Sequence, residues 1–140
     1  MLIIGFGRIG KLTAHRLRGL CAEVSVSARS PADFVWIDAY GYNALDTHSL
    51  GGKLGAFDIV INTVPVPILD QSLLDELKPG TLCVDLASKP GGIAETSSET
   101  IRVIRALGLP GEIAPVSSAG FIRDAIYNII SEKAVGNIRS

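Results

Sequence analysis

Three glycines near the amino terminus constrain the fold of this chain more than any other feature. They lie in the segment GFGRIG, residues Gly5–Gly10, which closes an apolar strand predicted over Leu2–Gly5 and opens a predicted helix. The apolar face of that helix comprises Ile9, Leu12, Thr13, Leu17 and Leu20. A GxGxxG pattern between a strand and an amphipathic helix is typical of a turn that binds a dinucleotide, whereas the pattern alone also occurs in plain strand-to-helix turns.

Each glycine of this turn has a separate task in such a fold. Gly5 permits the tight turn, Gly7 lets the backbone approach a pyrophosphate, and Gly10 lets the helix pack closely on the strand. The N–H groups at the helix start, and the positive end of its dipole, then face the phosphates.

The remaining sequence alternates between short apolar runs and longer segments with helical spacing. Further strands are predicted at Glu23–Ala28, Asn43–Leu45, Asp58–Thr63, Thr81–Leu86 and Arg102–Leu107. Further helices are predicted from the N-cap Ser30 to a stop at Gly41, over Ile68–Leu77, and over Ser117–Lys133. Strands that alternate with helices form βαβ units, so we expect an α/β fold with a doubly wound parallel sheet of the Rossmann type.

Composition agrees with one domain built around a sheet that is covered on both faces. The chain has 140 residues, of which 47% are hydrophobic and 19% are charged, and its mean hydropathy is +0.36. Parallel sheets that are buried on both faces are similarly apolar. Because enzymes of this fold carry a second domain for the substrate, we expect the chain to be a single dinucleotide-binding domain separated from something larger.

Charge and cysteine content argue against other classes. Thirteen basic and fourteen acidic residues give a net charge of −1, which does not suit nucleic-acid binding. The apolar runs are far shorter than the ~20 residues that cross a bilayer, and no secretion signal is recognised, which predicts a cytoplasmic protein. Cys21 and Cys83 lack the spacing of metal ligands, so we predict two buried thiols and no metal site.

The end of the second strand bears on the choice of cofactor. It reads Ser27-Ala28-Arg29-Ser30, with no acidic residue before Asp33. An acidic residue here would accept hydrogen bonds from the adenosine ribose of NAD, whereas an arginine suits the 2′-phosphate of NADP. We therefore predict NADP(H) rather than NAD(H), bound in part by Ala28, Arg29 and Ser30. The alternative is a solvated arginine at a strand end.

Two further segments follow strands that end at the same edge of the predicted sheet. They are INTVP, with Asn62, Thr63, Val64 and Pro65, and ASKPGG, with Ser88 and Lys89. Ligands of doubly wound sheets bind at the carboxyl ends of strands, so we expect both segments at the nicotinamide half of the cleft. Ser88 and Lys89 are the candidate catalytic residues, and Lys89 would pair with a substrate carboxylate. The alternatives are a surface lysine at position 89 and strand-end roles for Asn62 and Ser88.

A family resemblance joins these segments. GFGRIGK, SARS, INTVP, DLASKPGG and LGLPGEIAPVSSAG, in this order, resemble the nucleotide-binding domain of the dipicolinate synthase A chain family. The resemblance extends over essentially the whole chain and is most specific in DLASKPGG and in the LPG-x-x-AP-x-x-x-AG pattern of Leu109–Gly120. It implies one component of an NADP-type oxidoreductase that catalyses the last step of dipicolinate formation during bacterial sporulation, beside a flavoprotein-like second subunit.

The resemblance also implies roles for individual residues. It assigns the pyrophosphate to Gly5, Gly7, Arg8, Ile9 and Gly10. It assigns the adenosine end to Arg29 and Ser30, and the nicotinamide half to Thr63, Val64, Pro65, Ser88 and Lys89. The implied substrate is a dihydropyridine dicarboxylate or its precursor, and a homo-oligomer is a further expectation. Because the family's amino-terminal substrate domain is absent and the segment between Gly92 and Leu109 is short, cofactor binding is expected without turnover.

Three other classes share part of the pattern. Glyceraldehyde-3-phosphate dehydrogenases also contain GFGRIG, but they need a nucleophilic cysteine in a second domain. D-2-hydroxyacid dehydrogenases share the fold, but they need a triad of Arg, Glu and His that this sequence does not provide. A nucleotide-sensing module without catalysis is the third alternative, although such modules usually keep the ribose-binding acid that is missing here.

Overall fold

The computed structural model describes residues 1–107 together with Ile126 and Tyr127. In that part of the chain the strands are β1 Leu2–Ile4, β2 Ser25–Ala28, β3 Asn43–Asp46, β4 Ile59–Asn62, β5 Leu82–Asp85 and β6 Arg102–Arg105. The α-helices there are α1 Arg8–Gly19, α2 Pro31–Ala39 and α3 Gln71–Asp75. Two 3₁₀ turns, Thr47–Ser49 and Leu54–Ala56, lie between β3 and β4. Every strand predicted from the sequence is present, with its ends shifted by two residues or fewer.

The strands form one parallel sheet in the order β3-β2-β1-β4-β5-β6. The chain runs outward from β1 to β3 and then returns to the other side of β1, so the strand order reverses between β1 and β4. At this reversal Ile4 lies opposite both Ser27 of β2 and Asn62 of β4. The predicted doubly wound sheet is confirmed, and the reversal leaves a crevice at the carboxyl ends of the strands.

The strands bury their side chains in two apolar layers, one on each face of the sheet. Successive residues of a strand point to opposite faces. Accordingly, Ile3 packs with Leu17 of α1 on one face, whereas Leu2 and Ile4 pack with Leu74 of α3 on the other. Both faces are therefore covered, which accounts for the apolar composition.

The third helix is shorter than the apolar spacing of Ile68–Leu77 predicts. It begins after Asp70, whose carboxylate accepts a hydrogen bond from the backbone N–H of Leu73 at 3.0 Å. The N–H groups of Ile68 and Leu69 instead donate to the carbonyl oxygen of Gly92. The predicted start at Ile68 is therefore wrong. Ile68 and Leu69 pair in extended conformation with the segment at Gly92, and Asp70 caps the helix after them.

Helix α2 begins as predicted and exposes apolar side chains. Ser30 is its N-cap, and Gly41, with a φ of 74°, follows its end. Ile37 is buried, but Trp36 is 57% exposed and stacks on Tyr40 with a ring-centroid distance of 6.0 Å. The helix therefore attaches to the sheet through a narrow buried stripe.

The two cysteines differ in their surroundings. Cys21 is exposed, so the prediction of two buried thiols is wrong for this residue. It lies in the turn that follows α1 and has a φ of 61°. Cys83 lies in β5, where burial raises the pKa of its thiol to about 11. Among the described residues, no cluster of His, Cys, Asp and Glu side chains could hold a metal ion.

The last predicted helix falls almost entirely outside the described residues. Within Ser117–Lys133 the structure describes Ile126 and Tyr127, which are helical, and Ile126 is buried in the layer that contains α1. The LPG-x-x-AP-x-x-x-AG pattern also lies outside the described part. None of the helices that the structure describes is both long enough and apolar enough to cross a membrane.

A buried carboxylate joins β4, β5 and the segment that follows β5. Asp85 is 0% exposed. Its Oδ1 accepts hydrogen bonds from Asn62 Nδ2 at 2.8 Å and from the N–H of Ala87 at 3.3 Å. Its Oδ2 accepts from the N–H groups of Gly92 at 2.9 Å and Ile93 at 3.0 Å. Asp85 therefore folds the segment after β5 back onto the end of its own strand.

Replacement of this carboxylate by an amide should destabilise the domain. In Asp85→Asn, either orientation turns the new NH₂ group toward N–H donors, so buried donors lose their acceptor at a cost of about 2–3 kcal/mol or more. Asp38→Asn is the matched control because Asp38 is exposed on α2, and its effect should stay within about 0.5 kcal/mol. Urea unfolding measures both. Equal stabilities of the two variants would contradict the role given to Asp85.

Candidate dinucleotide-binding site

A cleft of about 500 Å³ opens at the carboxyl edge of the sheet, beside the reversal of strand order. It is bordered by the turn after β1, the end of β2, the residue after β3 and the segment after β4. The predicted cofactor residues that line it are Gly5, Gly7, Arg8, Ile9, Ala28, Arg29, Ser30, Thr63, Val64 and Pro65. The structure thus brings segments that are distant in the sequence to one place.

Two of the three fingerprint glycines are required by packing inside the protein. Gly5 has a φ of 100°, and a Cβ there would lie 2.6 Å from Oγ1 of Thr63. A Cβ on Gly10 would collide with the carbonyl oxygen of Gly5. These contacts place the start of α1 directly above the end of β1, as the fingerprint predicts.

The middle glycine is different. Gly7 has a φ of −76°, which any residue adopts, and a Cβ on it would meet nothing within 4 Å. Since Gly7 lines the cleft, this space is open to a ligand. Gly7 is also the N-cap of α1, which has no side-chain cap and no acidic residue in its first turn. The N–H groups of that turn and the positive end of the helix dipole fit a pyrophosphate.

The far end of the cleft is formed by the end of β2 and the start of α2. Ala28 is small and buried, and Arg29 is exposed. Within the described part of the chain, neither Arg8 nor Arg29 forms an ion pair. Both guanidinium groups border the cleft, and no carboxylate of the described residues pairs with either.

The end of β4 is fixed to the strand beside it. The N–H and Oγ1 groups of Thr63 both donate to the carbonyl oxygen of Ile4 at 2.9 Å. Asn62 was predicted to contact the cofactor, but its side chain is fully buried beneath the cleft. It donates to the carbonyl oxygen of Val64 at 2.9 Å and accepts from the Val64 N–H at 3.2 Å. These bonds and the one to Asp85 use both hydrogens and the oxygen of the amide, which suits a strand-end role. A contact of Asn62 with the cofactor stays a prediction.

The two candidate catalytic residues lie outside this cleft. Ser88 and Lys89 are exposed, and neither lines it. Their segment is anchored by Asp85 through Gly92 and Ile93. Their place beside a nicotinamide stays a prediction.

Four residues that sequence reasoning did not assign complete the lining. They are Phe6, Asp33, Thr47 and Ile68. Thr47 follows β3 and donates to Oγ of Ser27 at 3.0 Å. Its position could have been inferred, because β3 pairs with β2 and ends at the same edge. Asp33 is hydrogen-bonded to Ser30, which lies three residues earlier. That spacing of a serine and an aspartate at a helix start is visible in the sequence.

Comparison with known proteins supports the family resemblance predicted from the sequence motifs. The chain is 35% identical to the dipicolinate synthase A chain of Bacillus subtilis (strain 168) over 132 residues, which are 93% of this chain and 44% of that protein. The crystal structure of the A chain from Bacillus subtilis superimposes with a TM-score of 0.74 at 34% identity, covering 96% of this chain and 46% of that one. The resemblance predicted from the motifs is confirmed, and the chain spans less than half the length of these relatives.

A more distant solved structure shares the same arrangement. The transhydrogenase from Sinorhizobium meliloti superimposes with a TM-score of 0.67 at 26% identity, covering 89% of this chain and 44% of that one. The family model of the alanine dehydrogenase/PNT C-terminal domain matches residues 1–132. The chain therefore belongs to the alanine dehydrogenase/PNT C-terminal domain family and is an NAD(P)-binding domain of the kind found in oxidoreductases related to dipicolinate synthase.

Proposed function

We propose that this chain is the NADP(H)-binding domain of a dipicolinate synthase-like oxidoreductase. The observation that carries the proposal is the cleft at the uncapped start of α1, which Gly7 lines and where a Cβ on Gly7 would meet no protein atom within 4 Å. A Cβ there would meet no protein atom, so packing does not require this glycine, and the lack of a side chain suits a bound pyrophosphate. The similarity to the dipicolinate synthase A chain supports the choice of enzyme.

The preference for NADP(H) over NAD(H) rests on Arg29. Its guanidinium is exposed at the end of β2, has no ion pair among the described residues, and lines the cleft. A planar guanidinium donates paired hydrogen bonds to a phosphate. Arg29 would therefore hold the 2′-phosphate on the adenosine ribose.

The bound cofactor would supply the hydride chemistry, and the protein would supply orientation and electrostatics. In this proposal the hydride moves between the nicotinamide and a ring carbon of a dihydropyridine dicarboxylate or its precursor. Thr63, Val64 and Pro65 would border the nicotinamide half, and Lys89 would pair with a substrate carboxylate. The flavoprotein-like second subunit, self-association, a cytoplasmic location and a role in sporulation belong to the same proposal.

Filling the space at Gly7 should remove cofactor binding while the fold survives. Gly7→Val places a side chain at a residue that lines the cleft, and its Cβ would meet no protein atom within 4 Å. Both NADP(H) and NAD(H) should therefore bind at least a hundredfold more weakly, about 2.7 kcal/mol. Gly19→Val is the matched control, because a Cβ at Gly19 also meets nothing within 4 Å and Gly19 lies at the opposite end of α1. Calorimetric titration and circular dichroism decide it. Wild-type affinity in Gly7→Val would refute the pyrophosphate assignment.

Reversal of the charge at position 29 should reverse the cofactor preference. Hydrogen bonds to a charged group contribute roughly 1.5–3 kcal/mol, or about ten- to a hundredfold in affinity. We expect the wild type to favour NADP(H) by a factor in that range and Arg29→Asp to favour NAD(H). Arg16→Asp is the control, because Arg16 is exposed in the last turn of α1 and does not line the cleft. Equal wild-type affinities for the two cofactors would overturn the assignment.

The 140-residue chain alone should bind the cofactor without measurable turnover. Hydride transfer needs the reacting atoms held about 3–3.5 Å apart with water excluded, and Ser88 and Lys89 are exposed. An absorbance assay of nicotinamide oxidation or reduction is run with and without the remaining part of the dipicolinate synthase relative. In the completed enzyme, Lys89→Ala should impair substrate use more than cofactor binding. Robust turnover by the chain alone would contradict this prediction.

A further inference from the structure

The cleft contains one carboxylate at the same end as Arg29. Asp33 lies in the first turn of α2 and lines the cleft together with Arg29 and Ser30. Arg29 does not neutralise it, because no ion pair links the two side chains in the described part of the chain. A negative charge therefore faces the space in which the proposed function puts a 2′-phosphate.

The carboxylate of Asp33 also accepts a hydrogen bond from the hydroxyl group of Ser30. Oγ of Ser30 donates to Oδ2 of Asp33 at 2.9 Å and accepts from the N–H of Asp33 at 3.1 Å. A serine hydroxyl has a single hydrogen, and in this arrangement that hydrogen is already used. Toward the cleft Ser30 can offer only lone pairs, which a phosphate does not bind.

We propose that Asp33 is a specificity-determining residue that opposes the 2′-phosphate of NADP(H) and thereby limits the preference that Arg29 creates. It acts in two ways, by direct repulsion and by holding the Ser30 hydroxyl away from the ligand. This inference rests on the proposed function, since it concerns the same cofactor site. NAD(H), which has a neutral 2′-hydroxyl in place of the phosphate, is not subject to the repulsion.

Removal of the charge should therefore strengthen the binding of one cofactor alone. In Asp33→Asn the side-chain oxygen still accepts from Ser30, so the cap of α2 is kept while the charge is lost. We expect NADP(H) affinity to rise about three- to tenfold, as fits a partly screened charge pair, and NAD(H) affinity to change less than twofold. Asp33→Ala, which also frees the Ser30 hydroxyl, should raise NADP(H) affinity at least as much.

The experiment is calorimetric titration of the full 140-residue chain with NADP and NAD, at low and at high salt. Asp38→Asn is the matched control, because Asp38 lies on the same helix and is exposed but does not line the cleft. The rise caused by Asp33→Asn should shrink at high salt, and the control should leave both affinities unchanged. A thermal melt of each variant shows that α2 and the fold are intact.

A second variant separates the two roles that Ser30 could have. If the hydroxyl donates to the 2′-phosphate, Ser30→Ala loses about tenfold in NADP affinity. If Asp33 retains the hydrogen, as proposed, the loss is no more than about twofold on that scale.

The outcomes distinguish failure of the inference from failure of the function on which it rests. An unchanged ratio of NADP to NAD affinity in both Asp33 variants, or a tenfold loss in Ser30→Ala, overturns the inference alone. Failure of the wild-type chain to bind either cofactor overturns the proposed function and this inference with it.

Discussion

The contact between the backbones of Gly5 and Gly10 is the constraint on which the candidate site depends. It brings the first turn of α1 against the end of β1 so closely that no side chain fits between them. The N–H of Gly5 also donates to the carbonyl oxygen of Ser27 at 3.0 Å, which ties the turn to β2. With Thr63 bonded to Ile4 on the other side, the turn is held by both neighbours of β1. The positive end of α1 consequently points at the crevice.

The wall of the cleft that follows β4 is held in place by the buried carboxylate of Asp85. Asp85 holds Asn62, and Asn62 in turn fixes both backbone polar groups of Val64, which lines the cleft. A Cβ on Gly92 would collide with the Asn62 amide, so the segment after β5 needs glycine there in order to pass. The position of one cleft wall is therefore decided by side chains that are buried behind it.

The sheet could be predicted from the sequence because its causes are local. Apolar runs mark the strands, the glycine turn marks the start of α1, and Ser30 marks the start of α2. The missed features depend on contacts between distant residues. Asn62 and Asp85 are 23 positions apart, and the pairing of Ile68 and Leu69 with Gly92 shortens α3. The residue spacing within a single strand or helix does not predict contacts between such distant segments.

The pair of Ser30 and Asp33 is an instructive exception. Both residues are visible in the sequence, three positions apart, in the arrangement of a helix cap. The Ser30 hydroxyl caps α2 by accepting from the Asp33 N–H, and its one hydrogen is donated to the Asp33 carboxylate. Counting donors and acceptors of a local motif before assigning it to a ligand would have led to the structure's arrangement.

The exposed aromatic face of α2 has a practical consequence. Trp36 is the single tryptophan of the chain, and it lies on the helix that begins at the cleft with Ser30. Reduced nicotinamide absorbs light in the range in which tryptophan emits, so excitation energy would pass from the indole to a reduced cofactor bound in the cleft. The domain thus contains a single indole, six residues along the chain from Ser30, whose emission is not mixed with that of any other indole in these 140 residues.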